Sequence, residues 1–189
     1  MQDIIRQAKE YALKEIALYH TPKIEHFDLA NQIGQELAVK LGVDKDVVML
    51  GTILMDLKLG ECLKENKVSE HIQRSSEMAG KFLDQFNLPE EVYKKVINCV
   101  EAHHGTKSYN CIEAEICANA DCYKFLHPRG ILGYLVLLGT RGQNIDDCFT
   151  QLLVKMEEKY KIISLDICKE ELNKYYVQFK ELIDKAKKI

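Results

Sequence analysis

Apolar residues recur along this chain at steps of three and four, and strand-like alternation is nearly absent. That period predicts helices packed on helices rather than a sheet. Leu29, Ile33, Leu37 and Leu41 form one stripe, ended by Gly42. Val47, Val48, Leu50, Ile53, Leu54 and Leu57 form a more apolar helix, ended near Gly60. Met78, Phe82, Leu83 and Phe86 follow, then Val92, Val96, Ile97 and Val100, then Ile112, Ile116 and Ala120. The run Ile131–Leu138 reads as a core helix, too short to cross a bilayer. Leu172, Tyr175, Tyr176, Phe179 and Leu182 make a last amphipathic stripe, and the stretch from about Ile145 reads as a two-helix hairpin packed on the bundle. Pro22, Pro89 and Pro128 each stand where a helix can begin. The segments Gly105–Asn110 and Gly139–Asn144 read as loops. The sum is an all-α bundle of about nine helices in a single domain over residues 1–189, with a core at about 20–125 and C-terminal helices at about 129–189.

Composition narrows the setting. With 47% apolar and 29% charged residues, the chain is ordinary globular protein. A net charge of -3 without a basic stripe gives no footprint for a nucleic-acid polymer. Seven cysteines without tight spacing or a C-x-x-C pair argue against a disulfide framework and a thiolate zinc site. They fit a reducing compartment. Met1–Glu10 is polar and charged and carries no visible secretion signal. The expected setting is cytoplasmic, with no membrane partner.

Several polar residues are placed unusually. His26 lies near the start of the helix that ends at Gly42. Asp56 follows a run apolar enough to be buried on most sides, so its carboxylate needs a partner such as a metal ion. His71 opens the next helix, His103 and His104 close a later one, and Asp121 is flanked by Ala118, Ala120 and Cys122. A mixed imidazole and carboxylate set suits Mn, Fe, Co, Ni or Zn, and tolerates Mg less well. Each residue alone also has a plain reading: His26 with a backbone partner, His103 and His104 at a helix C-terminus, His127 in a loop, Asp56 paired with Lys58, and Arg74 as a surface charge.

Taken in order, His26, Asp56 after its apolar helix, His71, His103 and Asp121 resemble the HD-domain family of metal-dependent phosphohydrolases. There, a first His is followed by an adjacent His-Asp pair, and a later Asp completes the site. His26 and position 55 are 29 positions apart, a spacing similar to small bacterial members. The segments GTILMD (51–56), HIQRSSEMAGKFL (71–83), VINCVEAHHG (96–105) and IEAEICANAD (112–121) resemble the family's successive motifs, over roughly residues 20–125. Two positions depart from it. Met55 stands where the signature His belongs, and Asn119 stands where the closing motif has its first acid. A thioether is a weak, soft ligand and cannot replace imidazole for a borderline ion.

The resemblance implies a divalent metal held by His26, Asp56 and Asp121, with His71 and His103 shaping a second or shifted site and Asp56 as catalytic residue. Position assigns phosphate contact to Lys58, Arg74 and His104, with Lys124 a weaker candidate and His20 a possible substitute ligand. The implied function is hydrolysis of a small phosphomonoester or nucleotide. The alternative, supported by Met55 and Asn119, is a catalytically degenerate domain that binds a nucleotide or phosphorylated effector.

Overall fold

A computed structural model describes residues 1–187, so the last two positions of the expected C-terminal segment, 188 and 189, lie outside the described residues. Among them there are ten α-helices, one short 3-10 turn and no strand. The helices are α1 (Gln2–Tyr19), α2 (Ile24–Leu41), α3 (Lys45–Leu54), α4 (Leu59–Lys64), α5 (His71–Leu83), α6 (Glu90–Ala102), α7 (Ile112–Leu126), α8 (Pro128–Thr140), α9 (Ile145–Ile162) and α10 (Asp166–Ala186). The 3-10 turn, Val68–Glu70, leads into α5.

The helix ends obey local chemistry. Gly42 closes α2 in the left-handed region at φ 67, where a side chain is strained. The Asp44 carboxylate caps α3 by accepting from the Asp46 and Val47 backbone N–H groups. Pro128 opens α8 behind His127, whose ring accepts from Arg129 N–H, so His127 is a cap rather than a free loop residue. Asn144 caps α9 through Asp147 N–H.

The apolar faces converge on α7, which packs against α2, α3, α6, α8, α9 and α10. From Glu113 to Lys124, every α7 residue except Glu115 is buried. A helix surrounded on all sides is apolar almost throughout, so its buried Glu113, Asn119, Asp121 and Lys124 must each find a polar partner. Asn119 uses both ends of its amide. Its Oδ1 accepts from the Ser164 and Leu165 backbone N–H groups, and its Nδ2 donates to Glu115 O and Ser164 Oγ. The amide therefore clasps the α9–α10 linker onto α7. A carboxylate would accept those N–H groups but has no donor for Glu115 O, which explains why an amide serves at this position.

Two expectations are corrected. The apolar segment after Asp44 does not stay helical to Gly60. It ends at Leu54, and Met55–Lys58 form a turn before α4. There the Lys58 backbone N–H is taken by Ser75 Oγ of α5, so the chain breaks where a tertiary donor–acceptor pair replaces the helical one. The Ile131–Leu138 helix is not a core helix on all sides. Only one face of α8 is covered, and Leu132 and Val136 are 56% and 63% exposed. Its loop is correspondingly shorter, starting at Arg141.

Gly51 marks a point of very close packing between α3, α6 and α7. A Cβ there would sit 2.5 Å from Cys99 Cβ and 2.7 Å from Cys117 Sγ. Helix propensity alone favours alanine over glycine by about 1 kcal/mol, but overpacking typically costs about 1–3 kcal/mol. At Gly51 the clash wins. Gly51→Ala should lower the melting temperature by several degrees, at about 2–4 °C per kcal/mol for a domain of this size. Gly139→Ala, whose Cβ would meet nothing within 4 Å, should leave it unchanged or raised. A Gly51→Ala protein as stable as the parent in a thermal melt would contradict this packing.

Candidate active site

One cavity of about 150 Å³ gathers most of the sequence candidates. Its charged wall is built by Asp56 from the α3–α4 turn, His71 from the start of α5, His104 from the end of α6, Asp121 and Lys124 from α7, and Lys159 from α9. His26 of α2 lines it as well, beside an apolar wall that includes Phe125, Tyr134 and Leu137. Lys23, Lys155 and the exposed Arg141 stand on its solvent side.

The two acids are joined by lysines. Lys124 Nζ lies 2.6 Å from Asp56 Oδ2 and 2.8 Å from Asp121 Oδ1. Lys159 Nζ lies 2.6 Å from the other Asp121 oxygen. Both lysine side chains are almost fully buried, at 4% and 1% exposed. Burial works against the charged forms, but the facing ammonium groups outweigh it, and both carboxyls are held well below the usual carboxylate range. The same opposition leaves both lysine pKa values raised despite burial. A carboxylate so firmly ionised is a poor store for a proton and a good ligand or orienting acceptor.

The histidines form a second group: His71 and His104 line the cavity, while His103, expected there too, is fully buried behind them and does not line it. His71, His103 and His104 each offer a ring nitrogen, and these atoms lie within 4.8 Å of one another. His71 Nδ1–H donates to Val68 O at 2.7 Å, and His103 Nδ1–H donates to Val100 O at 2.6 Å. A carbonyl can only accept, so each Nδ1 carries a proton, and a neutral ring so bonded has its lone pair on Nε2. Both Nε2 atoms are buried without a hydrogen-bond partner. His103 Nε2 is 3.6 Å from Asp56 Oδ1. That is too long for a hydrogen bond, yet about the separation of two ligand atoms around one ion with bonds of roughly 2.0–2.2 Å. Orphaned nitrogens beside a carboxylate fit a first-row divalent metal.

The expected triangle of His26, Asp56 and Asp121 fits an ion less well. Its carboxylates face ammonium groups. His26 donates its Nε2–H to Gly130 O at 2.9 Å and, among the described residues, makes no hydrogen bond or ion pair with either acid. Met55 is 1% exposed and does not line the cavity. Lys58 and Arg74 are corrected: neither reaches the cavity. Lys58 pairs with Glu15 and Glu61, and Arg74 with Glu65 and Glu70, because α1, α4 and the 3-10 turn supply carboxylates nearer than the site. His20 is exposed and closes α1 in the left-handed region instead of turning inward. Lys159 is the residue that sequence reading missed. The signal was its register: Cys148, Leu152, Met156 and Lys159 are the buried stripe of α9, and a lysine there has no solvent to reach.

Burial also lowers the pKa of His26, His71 and His104, the last pushed down to about 2 with help from neighbouring His103 and Lys159. Below about pH 6.5 the unfolded chain takes up these protons while the folded chain does not. Stability is therefore complete above that pH and declines as pH falls, by up to about 1.4 kcal/mol per pH unit for each histidine held neutral. The depressed Asp56 and Asp121 add a second loss below about pH 4. Urea unfolding in chelator at pH 7, 6 and 5 should show the decline, and His104→Gln should flatten it. Equal stability at all three values would rule out buried neutral histidines.

No family model matches the chain. Ribonuclease Y from Finegoldia magna is 30% identical over 105 residues, which is 56% of this chain. The match spans only 18% of that much longer relative. An HD-superfamily hydrolase from Bacillus thuringiensis superposes with a TM-score of 0.70 at 15% identity, over 99% of this chain and 96% of its own. Bacillus subtilis YpgQ superposes at 0.67 with 14% identity, over 99% and 95%. The YpgQ structure in complex with ADP superposes at 0.63 with 15% identity, over 97% and 96%. Such coverage of both chains shows the fold: this chain is folded like these solved structures, an all-α architecture that includes an HD-superfamily hydrolase.

Proposed function

We propose that this chain is a metal-dependent phosphohydrolase acting on a small phosphomonoester or nucleotide, with its ion held by His71, His103 and Asp56. The observation that carries the reading is the pair of buried, unpartnered Nε2 atoms, each on a ring whose Nδ1–H is already bonded to a backbone carbonyl, so that Nε2 is the atom left to bind an ion. His104 stands beside them as a further ligand or phosphate contact. A divalent ion there supplies Lewis-acid polarisation of a phosphoryl oxygen and eases deprotonation of water. Asp56, kept ionised by Lys124, orients the incoming water through its carboxylate. Lys124 and Lys159 hold the acids in place, and Lys23, Lys155 and Arg141 draw an anionic substrate to the open side. Phe125 and Tyr134 offer a face for an apolar or aromatic substrate group. The ADP of the YpgQ complex supports a nucleotide as one such substrate. The setting we propose is cytoplasmic, in keeping with seven free thiols. No described helix is long and apolar enough to cross a membrane.

A second reading is a domain that binds a nucleotide without hydrolysing it. It is favoured by the ammonium groups between Asp56 and Asp121 and by the thioether at Met55.

The readings part on three measurements. Chelator-stripped protein reloaded with Mn²⁺ should bind about one ion per chain and hydrolyse a generic phosphomonoester. His71→Ala and His103→Ala should each weaken ion binding by more than the roughly 10–100-fold typical of losing an outer-shell partner. Activity should fall with ion content. A parent protein that takes up no divalent ion at neutral pH, yet melts higher with ADP, would replace the first reading by the second.

A further inference from the structure

The cavity holds two carboxylates that fixed charge has already neutralised. Asp56 and Asp121 carry two negative charges away from solvent, and the Lys124 and Lys159 ammonium groups carry two positive ones. A single divalent ion between the same oxygens would supply the same charge. Lys124 Nζ occupies the bridging place, within 2.8 Å of an oxygen from each acid, as a shared ion does. Lys159 Nζ and Asp121 Oδ2 are close, but neither atom has a partner of hydrogen-bond geometry. Their contact is therefore charge against charge rather than a directed bond. Neutrality in a low-dielectric interior demands some cation here, and the chain provides one that cannot dissociate.

We propose that Lys124, backed by Lys159, is a built-in cation standing in a divalent-metal position, so that removing the lysine charge opens a new ion site between Asp56 and Asp121 with His26 beside it. The proposal needs the reading above only for the separate ion at His71 and His103. The substitution leaves a chemical trace. Lys124 donates to Asp56 Oδ2 and lies in ion-pair contact with Asp121 Oδ1, and a lysine has three N–H donors. Lys124 also lines the cavity, where its ammonium can donate to a phosphoryl oxygen. An ammonium holds such an oxygen as a point-charge donor but does not activate water. The chain thus keeps substrate-holding charge at this position while leaving water activation to the imidazole side.

The test counts ions. Full-length parent, Lys124→Met/Lys159→Met and Lys124→Arg proteins are stripped with chelator and dialysed against Mn²⁺. Bound metal per chain is then measured by plasma mass spectrometry, with folding checked by circular dichroism. The double variant should bind about one more ion than the parent, and its melting temperature should rise with Mn²⁺ more than the parent's does. Lys124→Arg, which keeps the charge, should match the parent. The single Lys124→Met, in which Lys159 still faces Asp121, serves if the double variant does not fold without metal. A folded variant with no more metal than the parent overturns the proposal. A parent with none and a variant with one would reject the His71–His103 ion while upholding the lysine as its counterpart.

Discussion

The geometry around the cavity turns on the salt bridge from Lys124 to Asp56 and Asp121. It ties the α3–α4 turn to α7 in the middle of the bundle, and Lys159 extends it to α9. Transferring four charges from water to such a place is expensive, and only close mutual contact offsets the loss of hydration. Losing one member of a buried pair typically costs about 3–5 kcal/mol, because the survivor stays buried without its partner. The four side chains therefore stand or fall together. They also explain why the chain leaves helical geometry after Leu54: the break puts the Asp56 carboxylate within reach of α7.

The cavity wall is chemically two-sided. On one side the carboxylates already meet cations and leave no electrostatic vacancy. On the other, the buried Nε2 atoms of His71 and His103 have no hydrogen-bond partner among the described residues. Asp56 belongs to both, with Oδ2 on Lys124 and Oδ1 facing His103 Nε2. Departures from a family motif need not act alike. Met55 is buried and does not line the cavity. Asn119 supplies a donor that the C-terminal linker uses.

Helices were legible in the sequence because each buries one stripe, and a stripe has a period. The site was legible in part, since His26, Asp56, His71, His103 and Asp121 stand out as polar residues inside apolar stretches. The lysines were harder. Sequence reading treats lysine as a surface charge, and Lys58 and Arg74 were placed in the cavity by nearness along the chain rather than in space. Those two face acids from α1, α4 and the 3-10 turn, whose positions no local pattern specifies. Lys124 and Lys159 lie on buried faces of α7 and α9, but only an inward neighbour of opposite charge gives that meaning. The neighbours, Asp56 and Asp121, are 68 and 38 positions away from them along the chain.

The Asn119 clasp has a kinetic side. It pins the α9–α10 linker to the central helix, and α9 carries Lys159. Peripheral hairpins commonly open as units with free energies below that of global unfolding. Whenever this one lifts, Asp121 loses a counter-charge and water enters beside it, while Lys124 stays on α7. Tightness of the clasp would then set how often the acid is exposed, and amide exchange at Ser164 and Leu165 would report that frequency directly.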